Sequence, residues 1–149
     1  MARLLASGFG VGRVPGAPGT AGSIAAVLAG AGLMKMGALA LPLGVVVASV
    51  GGRWAVAASG EGEDDPGWVV IDEVAGQWVT LLGLARPTPL GLLAAFAVFR
   101  VLDIAKPGPV GWADRLRGAG AVMEDDLIAG GLGAAILWAV RTRFPRVFG

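Results

Sequence analysis

The sequence predicts an all-α, membrane-embedded fold: a compact bundle of four to five apolar helices with short interfacial helices. Three observations carry this. Of 149 residues, 55% are hydrophobic and 15% charged, where soluble domains run nearer a quarter charged. The apolar residues fall in runs of helical length separated by Gly- and Pro-rich breaks, and no segment reads convincingly as a strand. All 11 acidic residues lie between Glu61 and Asp126, while the basic residues are scattered throughout. The length suits one domain over residues 1–149, since a domain is roughly 100–200 residues.

Composition also excludes chemistry. A net charge of +1 gives no electrostatic case for nucleic acid. With no cysteine, disulfides, thiolate metal sites and cysteine nucleophiles are excluded; with no histidine, so are histidine bases, phosphohistidine and His-ligated zinc. Carboxylates, lysine, arginine, hydroxyls, backbone or a hard metal ion remain.

Met1 to Ala21 shows no signal-peptide pattern, lacking a clean apolar core. Between Ser7 and Ser23, glycine and proline are dense enough to specify turns, with Thr20 or Ser23 as the N-cap of the next helix. A glycine-rich loop entering a helix offers backbone N–H groups to an anion. It also reads as an ordinary flexible entry with a plain cap. Ile24 to Leu33 is apolar, with a turn over Met34–Gly37. Ala38 to Ala58 is the longest apolar run, enough to cross a bilayer as one helix of about 20 residues. Gly51, Gly52 and Arg53 mark the approach to an interface within it.

Ser59 to Pro66 is a polar loop, with Asp65 capping a helix whose first residue is Pro66. Trp68 to Leu84 reads as that helix, with Asp65 and Asp72 two turns apart on one face. Glu73, Gln77 and Thr80 form a polar stripe beside it. Carboxylates are costly in a membrane-grade helix and usually serve a function. A helix-dipole role suits Asp65 and suits Asp72 poorly, two turns in. Arg86-Pro-Thr-Pro89 breaks the chain. Leu90 to Leu102 is the next apolar helix, with Arg100 and Asp103 at its end, stopped by Lys106-Pro107-Gly-Pro109. Val110 to Leu116 reads as a short interfacial helix, Trp112 toward lipid and Asp114, Arg115 and Arg117 toward water. Gly118-Ala-Gly120 is a hinge. The last helix runs from about Met123 to Val140 with Glu124, Asp125 and Asp126 in its first turn, where the helix dipole alone would favour them. Gly130, Gly131, Gly133, Ala134 and Ala135 give small-residue spacing for close helix contact. Counting turns places every acid at one end of the bundle. The basic residues divide too evenly between the ends to orient it.

Asp65, Asp72, Glu73, Asp103, Asp114, Asp125 and Asp126 would repel one another unless a cation joins them or some are protonated. Oxygen-only ligands select a hard ion, Mg²⁺ first. Lys106, Arg100 and Arg115 beside such a cluster suit a phosphate-bearing substrate. At a membrane interface this points to metal-assisted phosphoryl chemistry on a phospholipid.

Gly8-Phe-Gly-x-Gly12 with Pro18-Gly-Thr20-x-Gly-Ser23, Ile71-Asp72-Glu73-x-x-Gly76, Phe99-Arg100-x-x-Asp103-x-x-Lys106-Pro-x-Pro109, Trp112-x-Asp114-Arg115 and Asp125-Asp126-x-x-Ala129-Gly130 resemble the phosphatidylglycerophosphatase A family. The motifs run in order over nearly the whole chain. The resemblance implies a Mg²⁺-dependent phosphatase that removes the terminal phosphate of phosphatidylglycerophosphate in glycerophospholipid synthesis. It also implies a multi-pass protein of the bacterial inner membrane, its site at the cytoplasmic face. Ala105 and Gly108 stand where the family often has tryptophan, and Gly118-Ala-Gly120 is looser than the usual glycine pair. On this reading Asp72, Glu73, Asp125, Asp126 and Asp65 are metal ligands. Asp103 or Asp114 orients water or protonates the leaving oxygen, and Lys106 and Arg100 hold the phosphate. Thr20, Ser23 and Arg115 complete the substrate site. Attack by activated water competes with an aspartyl-phosphate route. A non-enzymatic, transporter-like ion-binding protein is the rival class, though no internal repeat supports it. A phosphatidyltransferase of the CDP-alcohol kind lacks its spaced acidic motif here. Nothing in the sequence sets an oligomeric state.

Overall fold

The computed structural model describes residues 1–60, 66–116 and 121–145. The expected cap at Asp65, the hinge at 118–120, Arg117 and Arg146 lie outside the described residues. Among those described there are seven α-helices and no strand: α1 (Ala2–Ala6), α2 (Pro18–Met36), α3 (Ala40–Ser59), α4 (Ile71–Leu81), α5 (Pro89–Ala105), α6 (Pro109–Ala113) and α7 (Ala121–Arg143), with a 3₁₀ turn at Val11–Arg13. The all-helical bundle is therefore as the sequence predicts.

The helix boundaries follow local chemistry. Proline stands at the first turn of α2, α5 and α6, where its missing N–H costs nothing. Thr88 caps α5, its side chain accepting from the Gly91 amide at 3.1 Å. Gly60 ends α3 in the left-handed region. Three expectations are corrected. Helix α2 begins at Pro18, so Thr20 and Ser23 lie inside it and neither caps it; the Ser23 hydroxyl donates back to the Gly19 carbonyl at 2.9 Å. Helix α7 begins at Ala121, so of the three acids only Glu124 lies in its first turn, with Asp125 and Asp126 in the next. Helix α4 begins at Ile71, not near Trp68. Asp72 is thus a first-turn residue, where its charge complements the helix dipole, and the expected one-face pairing with Asp65 falls away.

Helix α4 is the centre, packed against α7, α2, α3 and α5. Its contact with α7 is the closest. A methyl group added at Gly76 would strike the Asp126 carbonyl and the Phe99 ring, and one at Gly130 would strike the Gly76 carbonyl. Thr80 Oγ1 donates to the Gly76 carbonyl at 3.1 Å and lies 3.4 Å from that of Gly130. Small residues let two backbones touch, and hydroxyls then bond across the seam. On the other side, Trp78 Nε1 donates to the Ala26 carbonyl at 2.8 Å and ties α4 to α2.

Helices α2 and α3, of 19 and 20 residues, are long and apolar enough to cross a membrane. Ile24, Leu28, Val46, Val47, Val50 and Trp54 are exposed on them. Leu93, Val101, Ile104, Ile136 and Trp138 continue the apolar surface over α5 and α7, a girdle that water would not tolerate at this extent. The first turns of α2, α4 and α7 gather at one end with the last turn of α5 and the short α6. That end carries the site.

Candidate active site

Each acid owes its place to a helix end. The start of α4 is pinned by the Val70 amide, which donates to the Ala6 carbonyl at 2.9 Å. Asp72 follows as its second residue, and Asp72 Oδ1 accepts from the Glu73 amide at 3.0 Å. Glu73 is next. Asp126, the sixth residue of α7, arrives beside them because Gly76 allows the α7 backbone to touch α4. Carboxylate oxygens of Asp72, Glu73 and Asp126 all lie within 4.8 Å of one another. Asp72 is only 7% exposed and Asp126 3%.

The C-terminal two turns of α5 add Arg100 and Asp103, an i, i+3 ion pair with both side chains largely covered. Asp103 interacts electrostatically with both Asp126 and Glu73, and Arg100 with Glu73. The N-terminal turn of α2 closes the site. A methyl group at Gly19 would meet Glu73 Oε1 and come within 3.4 Å of Arg100. The first-turn amides of α2 therefore stand beside the acids and a guanidinium, a setting for an anion. Thr20 is half-buried in this turn.

A second charged group lies alongside. Lys106 ends α5 with φ 45°, a left-handed conformation in a non-glycine residue. Its Nζ donates to Asp114, the residue closing α6, and to Asp125 of α7 at 2.8 Å. Burial disfavours the ammonium, but hydrogen bonds and charge attraction from the two carboxylates outweigh it and hold Lys106 above the ordinary lysine range.

The structure thus sorts the sequence-derived residues. Asp72, Glu73 and Asp126 come together, with Asp103 and Arg100 at their edge. Asp125 turns to Lys106 and Asp114 instead. The Ser23 hydroxyl is buried and used within its own helix, and Arg115 is exposed on the turn after α6. Sequence reading missed Arg53, which pairs from α3 with Glu124 beside the acids. The available signal was its isolation, as the one charge between Lys35 and Glu61.

Three clustered carboxylates are sustained by a cation among them or by protonation of some of them. The donors are all oxygen, the set a hard divalent ion takes. Glu73 Oε2 is fully covered and has no hydrogen-bond partner among the described residues, so this carboxylate still has acceptor capacity to fill. The residues present fit a magnesium-type cation by the chemistry of their donors.

Comparison with known proteins places the chain. The family model described as phosphatidylglycerophosphatase A matches residues 4–141. The chain is 36% identical over 147 residues to phosphatidylglycerophosphatase A of Escherichia coli, covering 95% of this chain and 84% of that protein. It is 32% identical to the protein of the same name in Haemophilus influenzae, over 93% of this chain and 87% of the relative. A putative phosphatidylinositol-3-phosphatase of Bacteroides thetaiotaomicron is 38% identical over 136 residues, 85% of each chain. No solved structure matches.

Proposed function

The chain belongs to the phosphatidylglycerophosphatase A family of phosphatases, and we propose that its own reaction is Mg²⁺-dependent hydrolysis of phosphatidylglycerophosphate to phosphatidylglycerol and phosphate. The observation that carries this is the trio of buried Asp72 and Asp126 with half-buried Glu73, their carboxylate oxygens within 4.8 Å, set against Arg100 and the start of α2. Asp72, Glu73 and Asp126 would hold the cation. Bound there, Mg²⁺ would neutralise phosphate charge and acidify water.

The chain's own groups do the rest. Arg100 and the amides around Gly19 and Thr20 bind the terminal phosphate and orient it. Asp103, beside Asp126 and Glu73, orders the attacking water, whose oxygen bonds to phosphorus as the ester P–O bond breaks. It passes the water's proton to the departing glycerol oxygen. Lys106 locks Asp114 and Asp125 together at the rim and offsets part of their charge where the phosphate would approach. The apolar girdle would hold the bundle in the bacterial inner membrane as a multi-pass protein with the site at the cytoplasmic face, acting in phospholipid synthesis.

Phosphate release from phosphatidylglycerophosphate, with and without EDTA, tests the reading. Activity that EDTA removes and Mg²⁺ restores is expected. Activity indifferent to EDTA would sink the cation role, and turnover of phosphatidylinositol 3-phosphate alone would sink the substrate. A labelled phosphate trapped on an aspartate would replace water attack by the covalent route.

A further inference from the structure

Gln77 is wholly buried, and neither Nε2 nor Oε1 of its amide has a hydrogen-bond partner among the described residues. Leaving a buried amide unpaired costs on the order of 1–3 kcal/mol or more, so such a group calls for a partner. It stands one turn after Glu73 on the same face of α4, at the i, i+4 spacing where side chains meet. Of the remaining buried polar side chains, Asp72, Asp125 and Asp126 are carboxylates of the charged groups already described, and the others are hydroxyls. Ser7, Ser23 and Thr80 already use their hydroxyls on backbone carbonyls. Among the described residues, the other covered side-chain atom without a partner is Glu73 Oε2. Two unpaired polar groups, one a donor and one an acceptor, therefore face the same interior one helical turn apart.

We infer that Gln77 is a positioning residue for Glu73, its amide Nε2 donating to the Glu73 carboxylate through one water and fixing the orientation in which that carboxylate serves the acid trio. The inference rests on the cation reading above. Partners of this kind hold a ligand's rotamer and tune its basicity, and their loss typically weakens metal binding about 10- to 100-fold.

The test is Mn²⁺ titration of the purified full chain in detergent, read by the electron paramagnetic resonance of free Mn²⁺, with melting temperature measured in parallel without metal. Gln77→Met keeps the length and removes the amide, and Mn²⁺ affinity is expected to fall about tenfold. Activity should then recover at high metal with little change in KM for lipid. Unchanged affinity with a raised melting temperature would overturn the inference, because replacing a truly orphaned amide stabilises. Should Gln77→Met fail to fold, Gln77→Glu decides. A changed Mn²⁺ affinity at unchanged helical content supports the positioning role, and an affinity equal to the parent's refutes it. A parent chain that binds no Mn²⁺ would instead refute the cation site itself, a result separable from either variant outcome.

Discussion

The α4–α7 pair and the α2–α3 pair are both apolar helix pairs, yet they are built oppositely. Helices α4 and α7 meet backbone to backbone, with Gly76 under the Asp126 carbonyl and Gly130 under that of Gly76. Helices α2 and α3 diverge around an apolar groove of about 430 Å³, walled by Ala25, Ala29, Val47 and Gly51 and floored by Trp78. The first arrangement fixes two helix starts relative to one another, and those starts carry the acids. The second spreads exposed apolar side chains such as Leu28 and Val47 over a wide surface. Close backbone contact places charge, while the second pair leaves apolar surface exposed on helices long enough to cross a membrane.

The sharpest way to break the comparison is to remove charge from the close seam. Asp126→Asn or Asp72→Asn should lower phosphate release by about 10³-fold or more, since metal-assisted charge stabilisation contributes several kcal/mol. Helical content and membrane insertion should be unchanged. Near-parental activity in either variant would remove that residue from the site.

The next effect comes from moving the acids without altering them. Gly19→Ala places a methyl group against the Glu73 carboxylate and Arg100. Alanine suits a helix better than glycine by up to about 1 kcal/mol, so the variant should keep its melting temperature. Misplacement of about 1 Å at a reacting centre costs on the order of 100-fold, and kcat should fall accordingly. A variant that loses stability and activity in step would mean that Gly19 serves folding alone.

Lys106 gives a smaller and more selective effect. Its φ of 45° suits glycine, so Lys106→Gly removes the ammonium and relaxes the backbone, while Lys106→Ala removes the ammonium and keeps the strain. Both should lose roughly tenfold or more in activity if the ammonium matters, with Lys106→Gly the more stable. Because the folded ammonium is held above its unfolded value of 10.5, the stability it lends is present in full below that pH. It fades only as pH rises through the higher folded value. Parental melting temperature should therefore show no lysine-linked change between pH 6 and about 9.

Much of this was legible in the sequence because charge is informative in an apolar chain. The confinement of acids to one stretch, the proline and glycine breaks and the helix count put Asp72, Glu73, Asp103, Lys106 and Asp126 at one end. The start of α4 was not legible. Asp65-Pro66 imitates a capped helix start, but Val70 is tied to α1 by the Ala6 carbonyl, and the helix begins only after that long-range contact. The division between Asp125 and Asp126 was hidden for a similar reason. Neighbours on a helix point about 100° apart, and which of them faces α4 depends on where Gly76 lets α7 approach. Hydroxyls favour the N-cap, which makes Thr20 or Ser23 look like one in the sequence, but Pro18 already sets the first turn of α2.

The finest division lies between two adjacent glycines of α7. Sequence spacing treats Gly130 and Gly131 alike, as small residues for helix contact. In the structure a Cβ on Gly130 would collide with the Gly76 carbonyl, while one on Gly131 meets nothing within 4 Å. Gly131→Ala should therefore gain the helix-propensity difference, up to about 1 kcal/mol, because no neighbour opposes it. Gly130→Ala carries the same gain but must push α7 off α4, and overpacking of this kind costs about 1–3 kcal/mol. The two substitutions are chemically identical, so the sign of the difference in detergent melting temperature reads the seam directly. Gly131→Ala should melt above the parent with unchanged phosphate release, and Gly130→Ala below it with activity reduced through Asp126. Equal shifts in both would mean that α4 and α7 are not held by backbone contact, and the placement of the acids would need another cause.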